Sequence, residues 1–377
     1  MTSLNLFGEV QLDSPKTEGV KFIGAKTKLI PHILKLAHKT GAHSVLDGFS
    51  GTTRVSQAFA QCGYQVMSND ISAWSEVFGT CYLLSAKPRD YYRALIGELN
   101  NATPVDGWFT QNYGGYPNGG SSVQPDGLKK PWQIHNTRKL DGVRQKIEQL
   151  SLAPVEKAVA VTSLILGLDK VDNTLGHYCS YLKNWSPRSY SELELAVPSL
   201  VAYSDRHSVT RNDVFDLIDA DVDLVYLDPP YGSNNDKMPP SRVRYSAYYH
   251  LWTTICRNDF PNLFGKAKRR VDTSDKCGNS VFEEFRRNGS SGKFICVEAI
   301  DDLLERVRAR WVILSYSSGG RATARELDDM LAKSGSVVDV VRVDHKRNVM
   351  ASMKWTNRWT DESRVGNQEF LFLIDRD

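Results

Sequence analysis

Asp223-Leu224-Val225-Tyr226-Leu227-Asp228-Pro229-Pro230-Tyr231 decides the reading of this chain. Its apolar run has the pattern of a strand buried on both faces, as in a parallel sheet. Two consecutive prolines then lack backbone N–H groups, so the segment leaves the sheet while its carbonyls stay free to accept. Asp228 with those carbonyls makes a rigid cluster of acceptors. An amine on an aromatic ring is a poor nucleophile, because its lone pair is delocalised. A carboxylate and a carbonyl that accept its two N–H bonds favour the pyramidal geometry and the positive charge of the transition state. Tyr231 is then a ring able to stack on a base. A plain strand ending in a turn with a packed tyrosine would carry the same four residues, so the surroundings must decide.

Toward the N-terminus, Ser44 to Asp47 is a second short apolar run that ends at a carboxylate and enters the turn Gly48-Phe49-Ser50-Gly51-Thr52. Thr53 to Cys62 spaces Val55, Ala58 and Phe59 at helical intervals and stops before Gly63, a C-terminal cap. A strand at Tyr64 to Ser68 closes at Asn69-Asp70. Strand, loop, helix, strand, acid is the layout of a doubly wound nucleotide-binding unit. The turn lacks GxGxxG, so it is a poor dinucleotide fingerprint. Its small residues nevertheless admit a ligand close to the backbone, with unpaired helix N–H groups beyond. Asp70 is placed to accept ribose hydroxyls; it would equally cap a helix starting at Ser72.

Toward the C-terminus, strands are expected at His207 to Arg211, Trp311 to Ser315, Val337 to Val343 and Glu369 to Ile374. Between Asn100 and Ser204 the pattern changes to a Gly-, Pro- and Ser-rich loop over 114–127, then helical periodicity over 138–150 and 155–168. The expected organisation is an α/β catalytic core from 1–100 and 205–377, a mainly helical inserted lobe at 101–204, and a basic insertion at about 235–295.

A chain of 377 residues can bury a sizeable core, and 41% hydrophobic with 24% charged residues excludes a fibrous or largely disordered protein. The net charge of +3 is too small to identify a polyanion partner, so local clustering must. Six cysteines form no CxxC pair and eight histidines no HxxxH pair, which leaves no case for a zinc ribbon, disulfide framework or metal centre. The N-terminus has no basic patch followed by an apolar stretch, and the chain has no apolar run long enough to span a bilayer. A cytoplasmic protein without a membrane partner is expected.

At this point the order of motifs resembles the Dam-like, alpha-group adenine-N6 DNA methyltransferases. Matching stretches are Lys21-Phe22-Ile23-Gly24-Ala25-Lys26, Asp47 to Gly51, Asn69-Asp70, Asn212-Asp213-Val214-Phe215 and Asp228 to Tyr231. Tyr248-Tyr249-His250, Leu314-Ser315-Tyr316 and Asn367 to Phe372 follow. Most of 100–200 and 256–295 is unmatched. The resemblance implies a seven-stranded methyltransferase sheet with an inserted target-recognition lobe, S-adenosyl-L-methionine as cofactor, and adenine in double-stranded DNA as substrate. It further implies a bacterial, nucleoid-associated enzyme, with a cognate restriction endonuclease as a possible companion. Carried over by position, Phe22, Gly24 and Lys26 contact the cofactor or close its pocket, and Asp47, Gly48, Phe49, Ser50 and Gly51 wrap its methionine moiety. Asp70 with Ile71 takes the ribose, and Asp213 with Val214 borders the adenine. Asp228 lies between cofactor and target base, in a catalytic set with Pro229, Pro230 and Tyr231. Two humbler roles are also open: a solvated helix-face lysine for Lys26 and a helix cap for Asp213.

The implied chemistry is in-line transfer from a sulfonium to N6, which requires no cysteine nucleophile. That agrees with the absence of the Pro-Cys dipeptide of cytosine-C5 enzymes. The amine lies within the duplex stack, so the base must rotate out. Cytosine-N4 methyltransferases share the logic, but their motif more often begins with Ser than Asp; RNA base methyltransferases are the other alternative. For DNA contact, residues 235–293 hold twelve Lys and Arg against six Asp and Glu, a phosphate-binding signal. Arg242, Arg244, Tyr248, His250, Lys268, Arg269 and Arg270 are the expected DNA-facing residues. The alternative is a solvated charged face with its aromatics in the core.

Overall fold

The computed structural model describes residues 2–4, 10–12, 14–232, 244–277, 280–344 and 368–377, the first two stretches as backbone alone. The central sheet has seven strands: β1 (Ser44–Asp47), β2 (Gln65–Asn69), β3 (Ser208–Thr210), β4 (Leu224–Leu227), β5 (Trp311–Ser317), β6 (Ser336–Asp344) and β7 (Gln368–Asp375). Their order is β6-β7-β5-β4-β1-β2-β3. Pairings from β5 to β3 are parallel, and β7 alone runs against its neighbours.

The apolar runs bury both faces by alternation. Val45, Leu224 and Tyr226 pack with α1 (Ile30–Lys39) and α2 (Arg54–Gln61). Leu46, Val225 and Leu227 point the other way. After β2, α3 (Ala73–Leu84) and α4 (Arg89–Asn100) lead into α5 (Trp108–Tyr113), α6 (Ile134–Gln149) and α7 (Pro154–Val171). Helix α7 is buried round most of its circumference, so no amphipathic stripe marks its ends, and Pro154 opens it at the first position. Trp74, Phe78 and Tyr82 of α3 share one cluster with Val161, Leu164 and Leu168 of α7. Trp252 and Ile255 join it from α9 (His250–Arg257), which follows the single turn α8 (Tyr245–Tyr248). Packing is therefore continuous across residue 100 and from the helical region into α9.

Helices α10 (Ile295–Arg306) and α11 (Ala324–Ser334) cover the second sheet face, where Val297, Ile300, Leu304 and Leu331 meet Leu46, Val225 and Leu227. Helices on both faces of a mostly parallel sheet make the fold doubly wound. No described helix is long and apolar enough to cross a membrane. Among the described residues no group of three or more His, Cys, Asp or Glu could hold a metal, and the six cysteines are free thiols.

Candidate active site

In an open parallel sheet, ligands bind beyond the carboxyl ends of the strands. Here the loops after β1, β2 and β3 are stitched together by one residue. The Asn69 amide donates to the carbonyls of Gly48 (3.3 Å) and Asn212 (3.2 Å). Its oxygen accepts from the Thr210 hydroxyl (2.8 Å) and the Asn212 N–H (3.0 Å). Asp70 accepts from the N–H groups of Gly51 (2.9 Å) and Ser72 (2.8 Å), which fixes its carboxylate at the cleft. It therefore caps the turn into α3 and lines the cleft as well. Asp213 likewise does both, accepting from the Phe215 N–H at 3.1 Å.

These loops enclose a cavity of about 320 Å³. Of the residues expected to bind the cofactor, Phe22, Gly24, Gly48, Phe49, Gly51, Asp70, Ile71, Asp213, Val214 and Asp228 line it. Lys26, Asp47 and Ser50 do not. Asp47 is fully buried beneath the loop, accepts from the Ser56 hydroxyl (2.6 Å), and is pushed up to about 7 by burial. Ser50 bonds Ser75 at 3.0 Å. The cradle suits a nucleoside joined to a cationic chain. A Cβ on Gly48 would stand 3.1 Å from both Leu227 and Val214, and Gly51 has φ +50°. Apolar Ile71 leaves 44% of its surface uncovered at the cavity wall. Asp70, Asp213, Asp228, Asp272 and Glu283 outnumber Arg257 and Arg270 in the lining, which leaves it acidic.

Asp228, Pro229, Pro230 and Tyr231 leave β4 into the same cavity. Asp228 meets Lys26, whose ammonium lies 3.1 Å from one carboxylate oxygen and 3.2 Å from Glu369. Lys26 is thus buried, not solvated. Burial acts to lower its pKa, but Asp228, Tyr231 and Glu369 outweigh it and hold it well above the ordinary value. Burial likewise pushes the Asp228 carboxyl up to about 6, against the pull of Lys26. The Tyr231 hydroxyl donates to Glu369 at 3.0 Å, and its ring lies tilted against Tyr316 at 5.4 Å.

Among the lining residues outside the expected site are Tyr245, Phe282 and Glu283. Tyr245 stacks on Phe22 (5.1 Å), and Phe282 meets Phe49 edge-on (5.0 Å). Glu283, pushed up to about 7 by burial, accepts from the Tyr245 N–H (2.6 Å) and the Ser246 hydroxyl, and so anchors α8. These residues line the same cavity as the loops. Part of the segment expected to meet phosphates is therefore cavity wall.

Three of the expected DNA-facing residues are buried. Arg244 is buried and donates to the carbonyls of Glu283 (3.1 Å) and Cys277 (2.7 Å). His250 is fully buried against the Tyr178 carbonyl, and burial holds its imidazole down to about 3, hence neutral. Arg270 is buried with Asp259 (2.6 and 2.8 Å) and Asp272 (2.9 Å), and with Asp272 it borders the cavity. A guanidinium cannot be buried unpaired, and a charge count does not separate internally paired arginines from free ones. Tyr248 stacks on His177 (4.8 Å), Lys268 donates to Asn112 (3.1 Å), and Arg269 lies over Phe264 (4.7 Å); all three are half-buried. Arg242 lies outside the described residues.

The mostly parallel seven-stranded sheet, with its acid-lined cleft at the loop edge, is consistent with the methyltransferase fold. The family model of the D12 class N6 adenine-specific DNA methyltransferases matches residues 22–285, more than half of the chain. The chain belongs to that family. It is similar to modification methylase StsI of Streptococcus sanguinis (27% identical, covering 87% of this chain and 48% of the relative). It also resembles modification methylase LlaI of Lactococcus lactis subsp. lactis (29% identical, 86% and 50%). The type II methyltransferase M.NlaIII of Neisseria lactamica matches at 25% identity over 95% of this chain and 99% of its own length. Against StsI and LlaI, the chain spans about half the length of the relative.

Proposed function

We propose that this chain is a site-specific DNA methyltransferase that moves a methyl group from S-adenosyl-L-methionine to adenine N6 in double-stranded DNA, as the modification partner of a restriction endonuclease in the bacterial cytoplasm. The observation that carries this reading is the meeting of Asp228 and Tyr231 with Asp70, Asp213 and Val214 around one cavity. When bound, the cofactor supplies an electrophilic methyl on a sulfonium. Phe22, the Gly48 to Gly51 loop, Asp70 and Ile71 would hold its amino-acid and ribose parts, and Asp213 with Val214 its adenine. Lys26, Asp47 and Ser50 would support these positions from behind.

Adenine must leave the duplex stack, at an expected cost of a few kcal/mol offset by stacking and backbone contacts. Tyr231 would stack on it. Asp228 and the Pro229 carbonyl would accept the two N6–H bonds, which localises the nitrogen lone pair for direct attack. Asp228 must be ionised to do so. The helical region 101–204 serves as the target-recognition lobe. Lys266, Lys276 and Lys293, which are exposed, together with Lys268 and Arg269, serve as phosphate contacts.

Genomic DNA from a methylation-deficient host that expresses the chain, read by single-molecule sequencing, should carry N6-methyladenine at one short recurring motif. The same host with Asp228→Ala should carry none. N4-methylcytosine in place of N6-methyladenine would overturn the choice of base, and no DNA modification would overturn the substrate.

A further inference from the structure

Glu369 has no part in the reading above, yet it is buried at the edge of the catalytic corner. One of its oxygens is 3.2 Å from the Lys26 ammonium, which also lies 3.1 Å from Asp228, and the other accepts from Tyr231 at 3.0 Å. It arrives from far away: it is 138 residues beyond Tyr231, on β7, opposite Ser317 of β5. Buried carboxylates are costly unless paired. A glutamine here would keep the shape and could still bond Tyr231, so the charge itself demands an explanation.

We propose that Glu369 is a positioning residue for methyl transfer: it divides the Lys26 ammonium between two carboxylates and fixes the Tyr231 phenol. Asp228 thereby remains a strong acceptor, and the corner remains net negative where a cationic methyl donor must sit. This rests on the assignment of Asp228 made above. The charges are two carboxylates against one ammonium. Without Glu369, Lys26 pairs wholly with Asp228 and largely cancels it, and a cancelled carboxylate is a poorer acceptor for an amine N–H. The groups that act on Asp228 are Lys26, Glu369, Tyr226, Tyr231 and Ser315, with Asp47 beneath and Tyr245 across the cavity. Lys26 is the cation among them, so its division sets the balance.

The test compares the purified full chain with Glu369→Gln, Glu369→Asp and Asp228→Ala, using host genomic DNA and labelled S-adenosylmethionine over about pH 5 to 9. Glu369→Gln should lose about 10- to 100-fold in kcat. The acid limb of its pH–rate profile should move down by about half a pH unit or more, because the second negative charge no longer raises Asp228. Calorimetric preference for S-adenosylmethionine over the uncharged thioether S-adenosylhomocysteine should fall about threefold or more. Glu369→Asp should recover part of each. A purely structural role would lower activity without moving the limb in that direction. An unmoved or upward-moving limb, an unchanged preference, or aspartate no better than glutamine would each overturn the proposal. If Glu369→Gln fails to fold by circular dichroism, Glu369→Asp carries the comparison, with the same directions expected and the same reversals decisive. Should Asp228→Ala retain turnover, the catalytic assignment itself fails. Should it be inactive while Glu369→Gln matches the parent, the inference about Glu369 alone fails.

Discussion

Lys26 and Arg270 are both buried cations held by two acidic side chains, but the two clusters are built on different scales. Arg270 pairs with residues 11 and two positions away, and those partners, Asp259 and Asp272, still reach solvent. Its cluster closes a local loop. Lys26 pairs with Asp228 and with Glu369, the latter 343 residues away, and all three side chains are largely buried. Its cluster forms only when an N-terminal turn, a central strand and the antiparallel strand β7 are in place together. Burial and pairing alone therefore do not mark a functional cation. Arg270 and Asp272 also line the cavity, so what separates the two is how far along the chain the pairing reaches and whether a partner belongs to the Asp228 to Tyr231 segment that leaves β4.

The strongest way to sharpen that contrast is Lys26→Met, which leaves Asp228 facing Glu369 with no cation between them and should lower turnover at neutral pH about 100-fold or more, because Asp228 is then largely protonated. With the parent chain, turnover should fall as the pH drops through about 6, because burial raises Asp228 to that value and its proposed role requires the carboxylate form. Removing Lys26 takes away the charge that opposes this rise, so the acid limb should move up; a pH–rate profile with the limb unmoved would break the comparison. Arg270→Met should act on the fold instead, lowering stability by about 2 kcal/mol by urea unfolding, since it strands Asp259 and Asp272, which remain partly solvated. Its loss of turnover per folded molecule should be smaller than that of Lys26→Met. Phe282→Ala, in the cavity wall against Phe49, should raise the apparent KM for S-adenosylmethionine about tenfold, through lost ring contact, with little change in kcat. The smallest effect should come from Lys266→Gln combined with Lys293→Gln, which should flatten the dependence of log K for DNA on log salt by about 1 to 2 units.

The same contrast explains what the sequence reveals. Strands such as Leu224–Leu227 are legible because an apolar run ending at an acid is a local pattern, and motif order then identifies the sheet edge. Ten of the thirteen expected cofactor residues line one cavity for the same reason. Glu369, Tyr245, Phe282 and Glu283 are not legible, because what places them is pairing and packing with residues distant in the chain. Glu369 lies inside a stretch whose resemblance to the family is visible, but its role depends on strand register against β5. Burial is equally illegible: Arg244 and His250 stand in the expected DNA-facing set, but the fold buries both in internal hydrogen bonds.

Strand β7 enters between β5 and β6, both of which precede it in the chain. During synthesis, the ribosome therefore releases the loops of the cavity and the Asp228 corner well before the strand that bears Glu369. Until then Lys26 and the Tyr231 hydroxyl lack the Glu369 carboxylate that both engage in the complete sheet. On the proposed role of Glu369, synthesis of β7 would therefore set the moment at which the catalytic corner is complete.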